Sequence, residues 1–292
     1  MAELRGVVQK ARHREIGNWL ARRAGRPLAV YGTWLAVRLG VSANQVTFAA
    51  LVVGLGGAAA VASGGRLGFV LGAALGHLAF WLDHVDGQVA RWRRTASLDG
   101  VYYDYMMHHV VNMALGFALG FGLAVRTGRV EWAAAGFAIA LGWTVLSLHN
   151  DCRYKAFIQR LKSATESYRV DGGSGGRPSP APGWPRRGLG VASYPAYKAC
   201  EPHVVLLSLT GAALLALVSP WAWEWLWRVY VVGMALGAPL LGAARIQRAV
   251  TRRATETEFQ AWFQPLNRAS IEPALGSRVS QDPLDIALEE VV

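Results

Sequence analysis

Charge is what this 292-residue sequence has least of. Asp, Glu, Lys and Arg make up 17% of it, against about 25% in a typical soluble domain. An ordinary soluble enzyme is therefore a poor match. Cysteine is nearly absent too, with only Cys152 and Cys200 and no CxxC pair, so neither a disulfide framework nor a thiolate zinc site is expected. No apolar run follows closely on the start, and no cleavable signal peptide is expected. Acidic residues are scarcer than basic ones, 19 against 30, which leaves a formal net charge of +11. A disordered polybasic chain is excluded by the 53% hydrophobic content. Nucleic-acid binding would need a basic patch on a soluble folded module, and no such module is visible.

What is present is long apolar sequence. Six windows contain no Asp, Glu, Lys or Arg: 46–65, 67–82, 105–125, 132–150, 202–223 and 229–244. A helix needs roughly 20 residues to cross a ~30 Å hydrocarbon core. Four windows reach about that length, and the two of 16 residues extend into charged flanks. Gly68, Gly72 and Gly76 recur at four-residue spacing, as where membrane helices approach closely. Trp132, Trp221, Trp223, Trp225 and Trp227 stand at window edges, where interfacial aromatics are expected.

The basic residues then set an orientation. Segments 1–45, 91–98, 151–201 and 245–292 hold 26 of the 30 Lys and Arg; Arg66, Arg126, Arg129 and Arg228 fall on the other side. The asymmetry predicts an all-α integral membrane protein of six transmembrane helices with both termini cytoplasmic. Residues 1–43 read as a cytoplasmic leader carrying an amphipathic juxtamembrane helix, with Trp19, Leu20, Leu28, Trp34, Leu35 and Val37 set among Arg22, Arg23, Arg26 and Arg38. Residues 44–246 read as the six-helix domain, interrupted by a flexible cytoplasmic loop at 171–187. Residues 247–292 read as a cytoplasmic tail, mobile after about residue 265.

Carboxylates break this separation at one end of two windows. Asp83, Asp86, Gly87, Ala90 and Arg91 lie within about 140° of one another at 100° per residue. Gly100, Asp104 and His108 follow at i, i+4, i+8 and share a face of the next helix. Ionisable groups at membrane depth are costly and face polar cavities. Two antiparallel neighbouring helices can aim three carboxylates and a His at one point. Such oxygen donors suit a hard divalent cation. Gly87 and Ala90 leave room for a ligand, and Arg91 suits a phosphate oxygen. Together they describe a diphosphate site.

The pattern Asp83-x2-Asp86-Gly87-x2-Ala90-Arg91-x8-Gly100-x3-Asp104-x3-His108 resembles the signature of the CDP-alcohol phosphotransferase family, D-x2-D-G-x2-A-R-x8-G-x3-D-x3-D. Seven of the eight fixed positions match, and the resemblance covers roughly residues 15–250. Ala43-Asn44-Gln45-Val46-Thr47 is similar to the family's Pro-Asn-x-x-Thr segment, with Ala43 in place of Pro. The resemblance implies a six-helix fold with an N-terminal interfacial helix. It implies transfer of a substituted phosphate from a CDP-linked donor, CDP-diacylglycerol or another CDP-alcohol, to an alcohol acceptor in lipid synthesis, releasing CMP. It also implies one or two Mg²⁺ or Mn²⁺ ions, a membrane-lipid setting and a homodimer. Carried over by position, Asp83, Asp86 and Asp104 bind metal. Asp83, Gly87, Ala90 and Arg91 line the CDP moiety, with Asn44 and Thr47 on the nucleotide side.

The departure is His108, where the family has a carboxylate that serves as metal ligand and general base. Histidine can do either job. Three readings stay open: His108 acts as base or ligand beside Asp104, His109 takes over as base, or activity is lost. Arg153, Lys155 and Lys198, near the expected cytoplasmic mouth, are candidates for an anionic acceptor, with plain positive-inside anchoring equally in view. The alternative to an enzyme is a non-catalytic membrane scaffold, or a metal- or nucleotide-binding protein that keeps the fold.

Overall fold

The computed structural model describes residues 2–8, 19–164, 168–170 and 190–265. The loop expected at 171–187 and the tail after residue 265 lie outside the described residues. The elements are helices α1 (Ala2–Val8), α2 (Arg26–Arg38, entered through a π-helical turn at Ala21–Gly25), α3 (Ala43–Ala62), α4 (Arg66–Arg93), α5 (Leu98–Thr127) and α6 (Glu131–Lys162), then strand β1 (Tyr168–Val170), helices α7 (Gly190–Ala199), α8 (Pro202–Val218), α9 (Pro220–Thr251) and α10 (Ala254–Trp262), and strand β2 (Phe263–Pro265).

Five helices, α3, α4, α5, α6 and α9, are long and apolar enough to cross a membrane, and α8 is a shorter apolar helix of 17 residues. The described residues are overwhelmingly helical, and the long apolar helices make this a multi-pass membrane protein. Large apolar side chains stand outward along the long helices, among them Phe48, Val52, Leu71, Phe117, Phe137, Leu214 and Leu240. In water such a surface would drive aggregation; facing hydrocarbon it is the expected exterior.

Helix ends follow local chemistry. Ser42 opens α3 with a capping box: its Oγ accepts from the Gln45 amide at 3.3 Å, and Gln45 Oε1 accepts from the Ser42 amide at 2.8 Å. Ser97 caps α5 by accepting from the Gly100 amide at 3.1 Å. Helix α4 closes on Arg94 in the left-handed region, at φ 54°.

The chain divides into two compact units, 1–149 with 184–245, and 150–183 with 246–292. In the first, small residues bring the long helices together. A Cβ on Gly72 would strike the Gly57 carbonyl and Val61 of α3, and one on Gly120 would strike Gly136 and the Trp132 carbonyl of α6. Of the three glycines at four-residue spacing, Gly72 faces α3 and Gly76 faces Leu206 of α8, whereas Gly68 packs on the turn at Ala60–Ser63. The core gathers Phe69, Leu119, Leu123, Ile139, Trp223, Trp227 and Val231. Trp223 and Trp227 are fully buried and pack on Phe69, with ring centroids 5.6 and 4.9 Å away. This corrects the interfacial reading of those two tryptophans. Their four-residue spacing turns both inward, while Trp221 and Trp225, two residues out of phase, stay exposed.

Helix α2 turns a small-residue face to α4. Gly25 abuts His84, Gly32 abuts Trp81 and Val85, and Ala29 and Thr33 are fully buried. The Thr33 hydroxyl lies 2.9 Å from Gln88 Oε1, and Gln88 Nε2 donates to the Arg26 carbonyl at 3.0 Å. Leu28, Tyr31, Trp34, Leu35 and Leu39 remain exposed, and Arg38 covers the Trp34 ring at 4.3 Å.

The second unit contains the end of α6 from Asn150, the end of α9 from Ile246, α10 and both strands. Strands β1 and β2 pair antiparallel with Tyr168 opposite Pro265 and Val170 opposite Phe263. Phe157, Phe259, Trp262 and Phe263 form an aromatic cluster beside them.

Candidate metal centre

The site is built on the facing ends of α4 and α5. Asp104 and His108 are one turn apart on α5, and His108 Nε2 lies 3.3 Å from Asp104 Oδ1. The same nitrogen lies 2.9 Å from Oδ1 of Asp83 on α4. One ligand atom from each of the three residues falls within 4.8 Å of the other two. A single imidazole N–H serves one carboxylate well, not two. Asp104 Oδ1 accordingly sits in contact range of His108 yet is buried without a hydrogen bond of good geometry. Two carboxylate oxygens and an imidazole nitrogen converging on one point, one oxygen lacking a donor, fit a divalent cation.

Asp86, one turn beyond Asp83, stands outside that group of three. It is buried, 6% exposed, and accepts from the Thr47 hydroxyl at 2.6 Å on Oδ2 and from the Gly87 amide on Oδ1. Thr47 therefore spans from α3 to α4 and fixes the Asp86 rotamer. Two hydrogen bonds leave a carboxylate with unused lone pairs. Asn44 lies beside Gly100, its Oδ1 3.7 Å from where a Gly100 Cβ would stand. A Cβ on Gly87 would come within 3.2 Å of the Arg91 guanidinium, so that guanidinium lies over the bare backbone of Gly87. Ala90 is half-buried one turn further along the same side.

Two contacts were not legible in the sequence. His84 Nδ1 lies 3.2 Å from Asp83 Oδ2, its ring held by Phe80 at 4.7 Å and by Gly25 of the π-helical turn. Neighbours in sequence rarely meet on a helix, so spacing gave no signal for this pair. Arg91 Nε donates to the Val8 carbonyl at 2.7 Å, a link across 83 residues that nothing in the pattern announces.

None of the acceptor candidates belongs to the three-residue group. Lys198 pairs with Glu201 at 2.6 Å, and this hydrogen bond raises its pKa above the ordinary lysine value. Arg153 and Lys155 belong to the second unit, where Arg153 is ion-paired to Glu258 and Lys155 is exposed. No protein-family model matches the chain, and no curated protein matches it either.

Proposed function

We propose that this protein is a metal-dependent phosphotransferase that moves a substituted phosphate from a CDP-linked donor to an alcohol and releases CMP. The convergence of Asp83, Asp104 and His108 on facing helices of a membrane bundle carries this reading. The spacing of the eight-position signature, matched at seven positions, supports it as well.

In this reading Asp83, Asp86 and Asp104 hold Mg²⁺ or Mn²⁺. Such an ion, held there, would supply charge neutralisation for the diphosphate and the CMP leaving group. Arg91, over Gly87, meets a phosphate oxygen. Gly87 leaves room for that guanidinium, and Ala90 keeps the α4 surface low beside it. His108 is the most open of the three converging side chains, 44% exposed against 18% for Asp83 and 35% for Asp104, so an acceptor can reach it. His108 takes the hydroxyl proton as the acceptor oxygen bonds to phosphorus and the bond to the CMP oxygen breaks. Asp83 and Asp104 hold the imidazole in place.

The fold reading that accompanies this counts α8 as a sixth span. Helix α2 lies at the cytoplasmic interface with Trp34 and Leu35 toward lipid, both termini are cytoplasmic, and the site opens on that side. The 26-to-4 distribution of basic residues supports the orientation.

The test is CMP release by purified protein from CDP-linked donors with Mg²⁺ or Mn²⁺. His108→Ala should lower turnover about 100-fold, the scale of a lost general base, with Mn²⁺ affinity retained. Loss of Mn²⁺ affinity instead would make His108 a ligand. Absence of turnover with CDP binding intact would favour the non-catalytic scaffold.

A further inference from the structure

Helix α1 is seven residues long and needs a reason to be docked at all. Leu4 and Val8 are buried, 6% and 0% exposed, in a small cluster with Val30 of α2 and Trp92 of α4. Arg5 Nη2 reaches the Tyr31 hydroxyl at 3.4 Å. Docking places the Val8 carbonyl 2.7 Å from Arg91 Nε. Arg91 is a long, rotamer-rich side chain that would otherwise lose substantial entropy on being held.

We propose that α1 is part of the donor site: through the Val8 carbonyl it positions Arg91 so that the guanidinium edge over Gly87 is set to receive the donor's diphosphate. This rests on the phosphotransferase reading and extends it to a segment outside the signature. The chemistry is directional. The N–H bonds of a guanidinium all lie in one plane, with Nε–H and the terminal pair directed to different edges of it. A carbonyl on Nε fixes the plane and leaves the terminal nitrogens for a two-point contact with phosphate oxygens. Their place is defined, since a Gly87 Cβ would stand 3.2 Å from Nη1 and 3.7 Å from Nη2. Trp92, next to Arg91 on α4, packs in the same cluster as Val8 and ties the docking of α1 to the end of the helix that bears the arginine. Val8 and its neighbours in α1 touch no reacting atom; they act through Arg91.

The experiment is a double-mutant cycle on the whole 292-residue chain. Leu4→Asp with Val8→Asp undocks α1, and deletion of residues 2–8 provides a second route to the same end. Each is made alone and combined with Arg91→Ala. CDP binding is measured by equilibrium dialysis with Mn²⁺, alongside KM and kcat for CMP release. Undocking should raise the CDP Kd and the donor KM about tenfold, the scale seen when an orienting partner is lost, and leave kcat within about twofold. In the Arg91→Ala background it should add nothing, the coupling expected when one group acts only through another. Equal losses in both backgrounds would show a general structural role and overturn the proposal. Unchanged or tighter CDP binding would also overturn it, the latter making α1 a cover over Arg91. If the unaltered protein binds no CDP, the phosphotransferase reading fails and this inference with it. If it binds CDP through Arg91 and undocking is silent, only this inference fails.

Discussion

The two ends of α5 carry ionisable groups in opposite states. At one end, Asp104 and His108 face Asp83, and two carboxylates compete for one imidazole nitrogen. At the other, 22 residues and about 33 Å along the helix, Arg126 donates to Glu224 Oε2 at 2.7 Å, and Arg228 pairs with the second oxygen of the same carboxylate. Arg126 also covers the Trp223 ring at 4.9 Å. The second cluster brings its own counter-ions and ties α5 to α9. The first sets two carboxylates against one imidazole nitrogen, the imbalance on which the proposed metal reading rests. One region pairs its carboxylate within the protein; the other leaves Asp104 Oδ1 buried without a hydrogen bond.

That contrast predicts opposite responses to similar substitutions. The largest effect is expected from Asp83→Asn and Asp104→Asn. Each should lower metal-dependent CMP release by about 10²–10³-fold, the scale of a lost charge-stabilising group. Asp104→Asn should also leave the melting temperature unchanged or raised, since its Oδ1 is buried without a hydrogen bond and the change removes a charge there. A parallel loss of stability in that variant would place Asp104 with the structural cluster.

Thr47→Val comes next, at the boundary between the two behaviours. It removes the 2.6 Å hydrogen bond that orients Asp86 and leaves a buried carboxylate short of a donor. Turnover should fall about 10–100-fold and stability by about 1–3 kcal/mol, read by CMP release and detergent-phase thermal unfolding.

Glu224→Gln should reverse the pattern of the aspartates. Its partners are only about a third exposed, and the loss should be about 1 kcal/mol of stability, with kcat and KM unchanged. Lys198→Ala should do least, with less than about a twofold change in turnover, because Lys198 is already engaged by Glu201 in a partly exposed ion pair on its own helix end. A tenfold rise in acceptor KM in that variant would restore Lys198 as an acceptor contact.

Much of this was written in simple spacing. Charge-free windows located the long helices because desolvating a charge is costly wherever it falls in the chain. The i, i+4 interval from Asp104 to His108 placed them on one face, and the antiparallel helix pair brought Asp83 to meet them. Turns were less legible. The window at 202–223 runs through Ser219, where α8 ends and α9 begins, because a turn of Ser and Pro carries no charge to mark it. The same counting passed over His77, which meets the Thr210 hydroxyl of α8 at 2.6 Å. Position relative to lipid also escaped it. Trp223 and Trp225 look alike in sequence, and only the packing of α9 on Phe69 separates core from exterior. Contacts made across the fold by backbone atoms, such as Val8 to Arg91, have no residue-type signature.

The most direct test of the metal centre is binding rather than turnover. Mn²⁺ titrated into the purified protein and followed by electron paramagnetic resonance should show saturable binding that is lost in both Asp83→Asn and Asp104→Asn and retained in Glu224→Gln. Binding that is indifferent to Asp83 and Asp104 would contradict the account.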